Sequence, residues 1–350
     1  MEFVDEFGFD VSSLKTYSGY YLNSDILKKS ASGGIATAIS EGFINDGGIV
    51  FGVKYSEDFK SAEFCMVNNI KDLTLLRGTK YIAPRKEVYI DNQYYSVYKL
   101  TAEKLALGMK VLFIGLGCDI AAVKKTCESQ NISTDNLFTI DLICHGPTTQ
   151  DVAAQFIDTL EKQYKSKVID FNVRYKKEGW VPIFLRAVFE SGQIYEKLFY
   201  ETDYGRAFAI FPREGCFSCK FRGVNHCSDL SIGDYWGMDK IEPEYNKYGV
   251  SVAFVNNCSK GMELLNLINQ ATFHLQETDT IRALRGNMNY CFPREKSEKY
   301  DSFKLNFKRK GLHYAAAHTV PSTQRFKLNV KKLVKKMLPF SIFKTKSKHH

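Results

Sequence analysis

Three cysteines stand close together in the segment Cys216-Phe217-Ser218-Cys219-Lys220-Phe221-Arg222-Gly223-Val224-Asn225-His226-Cys227. A tight turn brings positions i and i+3 together, so Cys216 and Cys219 can face one soft ion, and Cys227 can join them. No second Cys-x-x-Cys pair follows, and His226 is adjacent to Cys227, a spacing that seldom directs two ligands to one ion. A fourth ligand must come from elsewhere. Cys144 in Ile143-Cys144-His145-Gly146-Pro147 and Cys118 in Gly115-Leu116-Gly117-Cys118 are the candidates, each expected at the end of a strand. Three clustered cysteines plus a remote one suit a [4Fe–4S] cluster. Structural zinc, and thiols without metal, fit the spacing as well. Cys65, Cys127, Cys258 and Cys291 stand alone and are expected as small buried apolar residues.

Two further segments carry chemistry-bearing residue types. In Ser30-Ala31-Ser32-Gly33-Gly34, before an apolar helical run, Ser32 is expected to cap the helix, and the glycines let an anion reach free backbone amides. An ordinary capped helix start fits equally. Leu76-Arg77-Gly78-Thr79-Lys80-Tyr81 combines two cations, a glycine and a hydroxyl, which suits a phosphate or carboxylate, or a solvated turn. Gly115-Leu116-Gly117 follows a strand, but Ile120 occupies the third small position, so a dinucleotide fingerprint of the Rossmann type is excluded. After the cysteine loop, Asp234 is read as fixing a turn and Trp236 as a cover for a metal site.

The elements that must position these residues follow from apolar patterning. Residues 30–45 read as a helix, 49–53 and 111–115 as buried strands, 121–128 as a helix, 137–144 as a strand and 149–164 as an amphipathic helix. Residues 168–175, 184–189 and 194–199 read as successive strands, the last two joined by a Ser191-Gly192 hairpin turn. A strand at 250–255 and a helix near 260–268 follow. The expected fold class is α/β (α+β): a mixed sheet flanked by helices, with a β-rich, cysteine-containing second half. The expected divisions are residues 1–165 (an α/β part), 166–300 (the β-rich part with the cysteine loop) and 301–350 (a basic tail).

The 350 residues are 44% hydrophobic, enough for a sizeable core. No apolar run is long enough to span a membrane, and the acidic start Met1-Glu2-Phe3-Val4-Asp5-Glu6 lacks the order of a secretory signal. Nine cysteines, an odd number, do not read as a disulfide scaffold and imply a reducing cytoplasm. The net charge is +9, and nine Lys or Arg with no acid lie between Arg325 and Lys348, so the body is near neutral. Phe326, Val330, Leu333, Val334 and Met337 share one helical face of that tail, the pattern of contact with the inner membrane surface, although a solvated end has the same composition. No nucleic-acid recognition motif accompanies the charge.

Taken in order, Ser-Ala-Ser-Gly-Gly (30–34), Arg-Gly-Thr-Lys-Tyr (77–81), a strand ending near Cys118, Ile-Cys-His-Gly-Pro (143–147), Gly-Trp (179–180), and Cys-x2-Cys-x7-Cys-Ser-Asp with Gly-Asp-Tyr-Trp-Gly (216–237) resemble the coenzyme F420 hydrogenase/dehydrogenase beta-subunit family. The resemblance covers roughly residues 15–290. It implies an oxidoreductase carrying FAD and a [4Fe–4S] cluster, passing electrons between the cluster, the flavin and an organic hydride partner. Its members use the deazaflavin F420, chlorophyll-type pigments, or unidentified substrates in glycan-assembly settings.

By the same resemblance, Cys216, Cys219 and Cys227 would ligate the cluster with Cys144 as fourth ligand. Ser32, Gly33, Gly34, Gly78, Thr79, Lys80 and Tyr81 would line the flavin or its phosphates, with Lys80 offsetting negative charge. Phe217 and Trp236 would keep the site dry. Many relatives carry an N-terminal ferredoxin-like segment, whereas residues 1–29 here hold no cysteine. A separate electron donor, a ferredoxin-like protein or redox subunit, is therefore expected beside a small-molecule redox substrate. Relatives often read Gly-Thr-Pro-Cys-Gln where this chain has Gly115-Leu116-Gly117-Cys118-Asp119, which leaves the substrate open. The competing expectation is a non-catalytic, zinc-stabilised binding or scaffold protein serving glycan assembly.

Overall fold

The computed structural model describes residues 2–319. The apolar face expected over residues 326–337, with the rest of the basic tail beyond residue 319, lies outside them. Strands run in the order β1 (Thr16–Tyr21), β2 (Ile49–Tyr55), β3 (Ala62–Val67), β4 (Arg85–Ile90), β5 (Gln93–Ser96), β6 (Val111–Gly115) and β7 (Leu137–Leu142). They continue through β8 (Val168–Tyr175), β9 (Phe184–Phe189), β10 (Ile194–Leu198), β11 (Leu230–Asp234), β12 (Ser251–Val255) and β13 (Phe273–Glu277). The helices are α1 (Glu2–Phe7), α2 (Ser24–Lys29), α3 (Ile35–Asn45), α4 (Val97–Ala106), α5 (Gly117–Ser129), α6 (Gln150–Tyr164), α7 (Asp203–Ile210), α8 (Cys258–Asn266), α9 (Thr280–Arg285) and α10 (Tyr300–Ala317).

Ten strands form one mixed sheet in the order β13-β1-β12-β11-β7-β6-β2-β3-β4-β5, and β10-β9-β8 form a second, antiparallel sheet. This is the mixed sheet with helices that the alternation of patterns predicts. Strands β11, β7, β6 and β2 are mutually parallel neighbours at its centre, and they carry near-continuous apolar runs because both faces are covered. On one face, Ile35, Ala38, Ile39 and Phe43 of α3 pack with Leu264 and Leu265 of α8 over Val50, Leu112 and Ile140. On the other, Leu100 and Leu105 of α4 and Ile120 and Val123 of α5 cover Phe51, Val111 and Phe113. The sheet crosses residue 165, since β11, β12 and β13 complete the layer begun by β1–β7. The small sheet buries Phe171, Leu185 and Phe189 against Phe156 of α6, Phe208 of α7 and Phe303 of α10.

Boundaries differ from expectation where turn chemistry outweighs apolar content. The strand expected over 137–144 stops at Leu142, so Cys144 lies in the loop beyond it. Helix α5 begins at Gly117, earlier than residue 121, which puts Cys118 in its first turn. The Ser191-Gly192 turn is present, with Gly192 at φ 79° and its amide donating to Phe189 O at 2.8 Å. Cys65, Cys127 and Cys291 are buried as expected, but Cys258 is exposed. Asn257 caps α8 by accepting from the amides of Ser259 and Lys260, and that places Cys258 in the solvent-facing first turn.

Candidate functional site: a cavity at the parallel strand ends beside the cysteines

A cavity of about 300 Å³ opens at the C-terminal edge of the parallel strands. Gly52 and Val53 of β2, Ile114 and Gly115 of β6, Leu142 of β7 and Ile232–Asp234 of β11 form its floor. In open α/β sheets this edge collects ligands, because the strands deliver loops and helix N-termini there. Three sequence-predicted segments reach it: residues 30–34, residues 76–81 and the loop 143–147.

In the first segment, the expected cap is replaced. Ser32 does not cap α3; its Oγ donates to Val250 O at 2.7 Å. Gly34 is the N-cap residue, at φ 91°, and its amide donates to Ser251 Oγ at 3.1 Å. A left-handed residue lets the chain turn sharply into the helix, which favours glycine. Ser32, Gly34, Ile35 and Ala36 line the cavity, so the amide-rich, positive end of α3 faces it. Gly33 is not among the lining residues. A Cβ there would collide with Gly19 O and Ser251 N, so Gly33 serves the close approach of this turn to β1 and β12.

The second segment is held by its own lysine. Lys80 Nζ is buried and donates to Leu76 O at 3.1 Å, Arg77 O at 3.0 Å and Gly78 O at 3.1 Å. Burial lowers its pKa to about 8. Its ammonium therefore shapes the loop, which is a different role from the expected contact with a ligand's charge. Gly78, at φ 78°, and Thr79 line the cavity with open space around Gly78. Tyr81 stacks on Phe208 at 4.1 Å, and its carbonyl accepts from Thr148 N at 3.1 Å. Arg77 also lines the cavity; its Nη2 pairs with Glu41 Oε1 at 3.7 Å, and among the described residues its buried Nε has no partner.

Sequence reasoning missed the cations behind the cavity. Arg174 of β8 is 5% exposed, and its Nη1 donates to Asp234 Oδ2 at 2.5 Å and Tyr81 Oη at 3.2 Å. Lys176, on the turn leaving β8, is equally buried and donates to Leu27 O at 2.8 Å and Ser32 O at 2.7 Å, pinning the 30–34 segment from below. Burial, and then Arg174, lower its pKa to about 7. A charged pair of positions one residue apart in a β-rich stretch was the available signal. Trp236 lines the cavity and stacks on Trp180 at 4.6 Å with 9° between planes, so it is a cavity wall. Asp234 is an ion-pair partner as well as a strand end. Phe217 packs edge-on to Tyr300 at 5.0 Å, joining the core under the small sheet.

The 143–147 loop places Cys144 beside Cys216, whereas Cys219 makes no contact with another cysteine among the described residues. Cys144 lines the cavity, and its Sγ accepts from Gly146 N at 3.2 Å. Cys216 Sγ would lie 3.3 Å from a Cβ placed on Gly146, so the two thiols flank that glycine. Burial, against the pull of Arg222, pushes the Cys144 thiol up to about 12, and nearby Cys216 and Cys118 add to the rise. Cys227 Sγ donates to Gly117 O at 3.5 Å and is pushed up to about 11 by burial, with contributions from Asp141 and Cys118. Cys118 follows Gly117, whose carbonyl Cys227 contacts, so this fourth-ligand candidate stands beside Cys227, while Cys144 stands beside Cys216. Cys219 follows the short turn Glu214–Ser218 and is half-buried.

His226 turns away from the thiols. It stacks on Tyr290 at 4.1 Å, and its Nδ1 faces Asp141 Oδ2 at 3.1 Å, which anchors the loop to β7. Among the described residues, no three His, Cys, Asp or Glu side chains form a closed metal-holding set. The surroundings nonetheless suit a polyanionic thiolate centre. Arg213 Nη2 lies 3.8 Å from Cys118 Sγ, Arg222 donates to Cys144 O, and among the described residues the buried Nε atoms of Arg213 and Arg222 have no partner. Arg294 holds the carbonyls of Phe208 and Ala209 from the same side.

Residues 108–280 match the family described as the C terminus of the coenzyme F420 hydrogenase/dehydrogenase beta subunit. The chain is similar to one from a solved structure of the F420-reducing [NiFe] hydrogenase complex from Methanosarcina barkeri. Identity is 18%, the TM-score is 0.52, and the match covers 85% of this chain and 95% of that one. At that identity the likeness speaks to the fold. Together these findings define a protein that resembles the F420 hydrogenase beta-subunit family, a class of redox subunits. Among the described residues, no helix is long and apolar enough to cross a membrane.

Proposed function

We propose that this chain is an iron–sulfur flavoprotein oxidoreductase subunit, with FAD in the cavity and a [4Fe–4S] cluster held by Cys216, Cys219, Cys227 and Cys144. One observation carries the reading: Cys144 belongs at once to the cavity wall and to the thiol neighbourhood. A ligand filling the cavity would abut a centre held by those thiols. The positive end of α3 and Arg77 suit the phosphates of a dinucleotide. The three arginines around the thiols suit a centre whose net charge is negative.

When bound, the pair of groups would couple one-electron transfer at the cluster to two-electron hydride exchange at the flavin. The chain's own residues orient and enclose. Lys80 and Lys176 hold the two phosphate-side segments, Trp236 and Phe208 exclude water, and Arg174 with Asp234 sets polarity at the wall beside Tyr81. The organic partner is an F420-like molecule or another small redox substrate, including one in a glycan-assembly setting. Electrons reach or leave the cluster through a separate donor protein or subunit.

Anaerobic purification from iron-replete cells tests the proposal. A brown-yellow protein with acid-labile sulfide and releasable FAD supports it. A colourless protein, or one holding tight zinc without flavin, contradicts it and favours the scaffold reading.

A further inference from the structure

We infer that Arg174 and Asp234 together read the imide edge of a planar heterocycle in the cavity, donating to its carbonyl oxygen and accepting from its adjacent N–H. The inference rests on the proposed flavin reading and adds the residues that set ring orientation and specificity.

Two unmatched groups carry it. Arg174 is 5% exposed and lines the cavity, yet among the described residues its Nη2 has no hydrogen-bond partner. Its Nη1 is committed to Asp234 Oδ2 and Tyr81 Oη, so the guanidinium is locked in place. Among the described residues, the Asp234 side chain accepts only from Arg174, which leaves Oδ1 without a donor. An enclosed guanidinium N–H left unpaired is costly, and a preorganised donor beside a preorganised acceptor is the complement of a C=O next to an N–H.

Charge decides against other ligand groups at this wall. Arg174 and Asp234 neutralise one another, so a phosphate or carboxylate would meet the Asp234 carboxylate, and a cation would meet the guanidinium. The anionic part of a ligand belongs at the α3 end, where the helix amides face the cavity. The ring itself has an aromatic wall in Trp236, over which the Arg174 guanidinium lies at 5.7 Å. Flavins and deazaflavins both present the required edge, with one N–H between two carbonyls, so either a resident cofactor or a substrate can supply it.

The test compares ring ligands with and without that N–H. The full chain, freed of flavin, is titrated with riboflavin and 3-methylriboflavin. The flavin-loaded and the flavin-free chain are then each titrated with 5-deazariboflavin and its 3-methyl analogue. The expected result is a preference of at least about tenfold for the unmethylated ring in one arm, the size of a lost charge-assisted hydrogen bond. The arm that shows it identifies the occupant. Asp234→Asn and Arg174→Lys should each reduce the preference to less than about threefold, with Arg174→Lys and the wild-type comparison deciding if Asp234→Asn does not fold. Equal binding of methylated and unmethylated rings in every arm overturns the inference, as does undiminished preference in the folded variants. Absence of riboflavin binding alone contradicts the flavin reading and leaves the flavin-free deazaflavin arm to decide the pair's role. Absence of all ring binding overturns both.

Discussion

At the scale of single residues, the site is built from groups whose neighbours fix what they can do. Cys216, Cys219 and Cys227 are proposed as ligands on spacing and resemblance, and Cys144 on its place between cavity and thiols. Cys219→Ser should therefore abolish acid-labile sulfide in anaerobically purified protein, and retention of a full cluster would refute the assignment. Cys144→Ser should do the same, while Cys118→Ser should leave sulfide content near the wild-type level. The reverse pattern would make Cys118 the fourth ligand.

Lys176 offers a test that does not depend on cofactors. Its folded-state pKa of about 7 lies below the ordinary 10.5. Between those values the unfolded chain holds a proton that the folded chain has released, so rising pH favours folding there. Below pH 7 the penalty for burying the ammonium is fully present. The urea midpoint of the wild type should gain on that of Lys176→Met from pH 7 to about 9.5. A pH-independent difference would show that the ammonium is not the strained group.

At the scale of elements, the α3 entrance depends on backbone contacts that side chains cannot replace. Gly33→Ala would drive a Cβ into Gly19 O and Ser251 N, both backbone atoms of adjacent strands. A loss of about 1–3 kcal/mol is expected from urea unfolding, as for overpacking elsewhere, with weakened flavin binding. Gly78→Ala meets open space, and only its positive φ opposes it, so its cost should be the smaller, about 1 kcal/mol. Equal costs would contradict the packing role of Gly33.

The same elements show what is legible in the sequence. The buried strands β2, β6 and β7 and the helices α3 and α6 announce themselves by apolar runs and helical periodicity. Strand β4 and the edge strand β5 beside it escape such a reading, because Arg85-Lys86-Glu87 and exposed Tyr94 and Tyr95 give them little apolar content. Strand β1, Thr-Tyr-Ser-Gly-Tyr-Tyr, hides its buried Thr16 and Ser18 behind polar residue types. At the site, the cavity segments are readable as Gly- and Ser-rich turns, but their internal roles are not. Ser32 bonds a carbonyl 218 positions away, Lys80 bonds its own loop, and Arg174 finds Asp234 sixty positions later. Such pairings depend on strand order, which periodicity does not encode.

At the scale of the whole molecule, one layer of ten strands places the ends of β2, β6, β7 and β11 around a single cavity, and the small sheet closes it with Arg174. Ligand and fold are thus linked: a cofactor bound only by the folded chain adds stability as the logarithm of one plus its free concentration divided by Kd. Removing flavin should lower the thermal midpoint by several degrees, and adding it back should restore the midpoint in a concentration-dependent way. An unchanged midpoint with flavin present at saturation would mean that it binds outside this frame.

The central claim is that one cavity and one thiol set hold two redox groups side by side. Cofactor analysis of the anaerobically purified full chain tests it most directly. Close to one FAD and about four acid-labile sulfides per chain are expected, from the composition of the proposed groups. Protein with neither iron nor flavin, or with zinc alone, would contradict it.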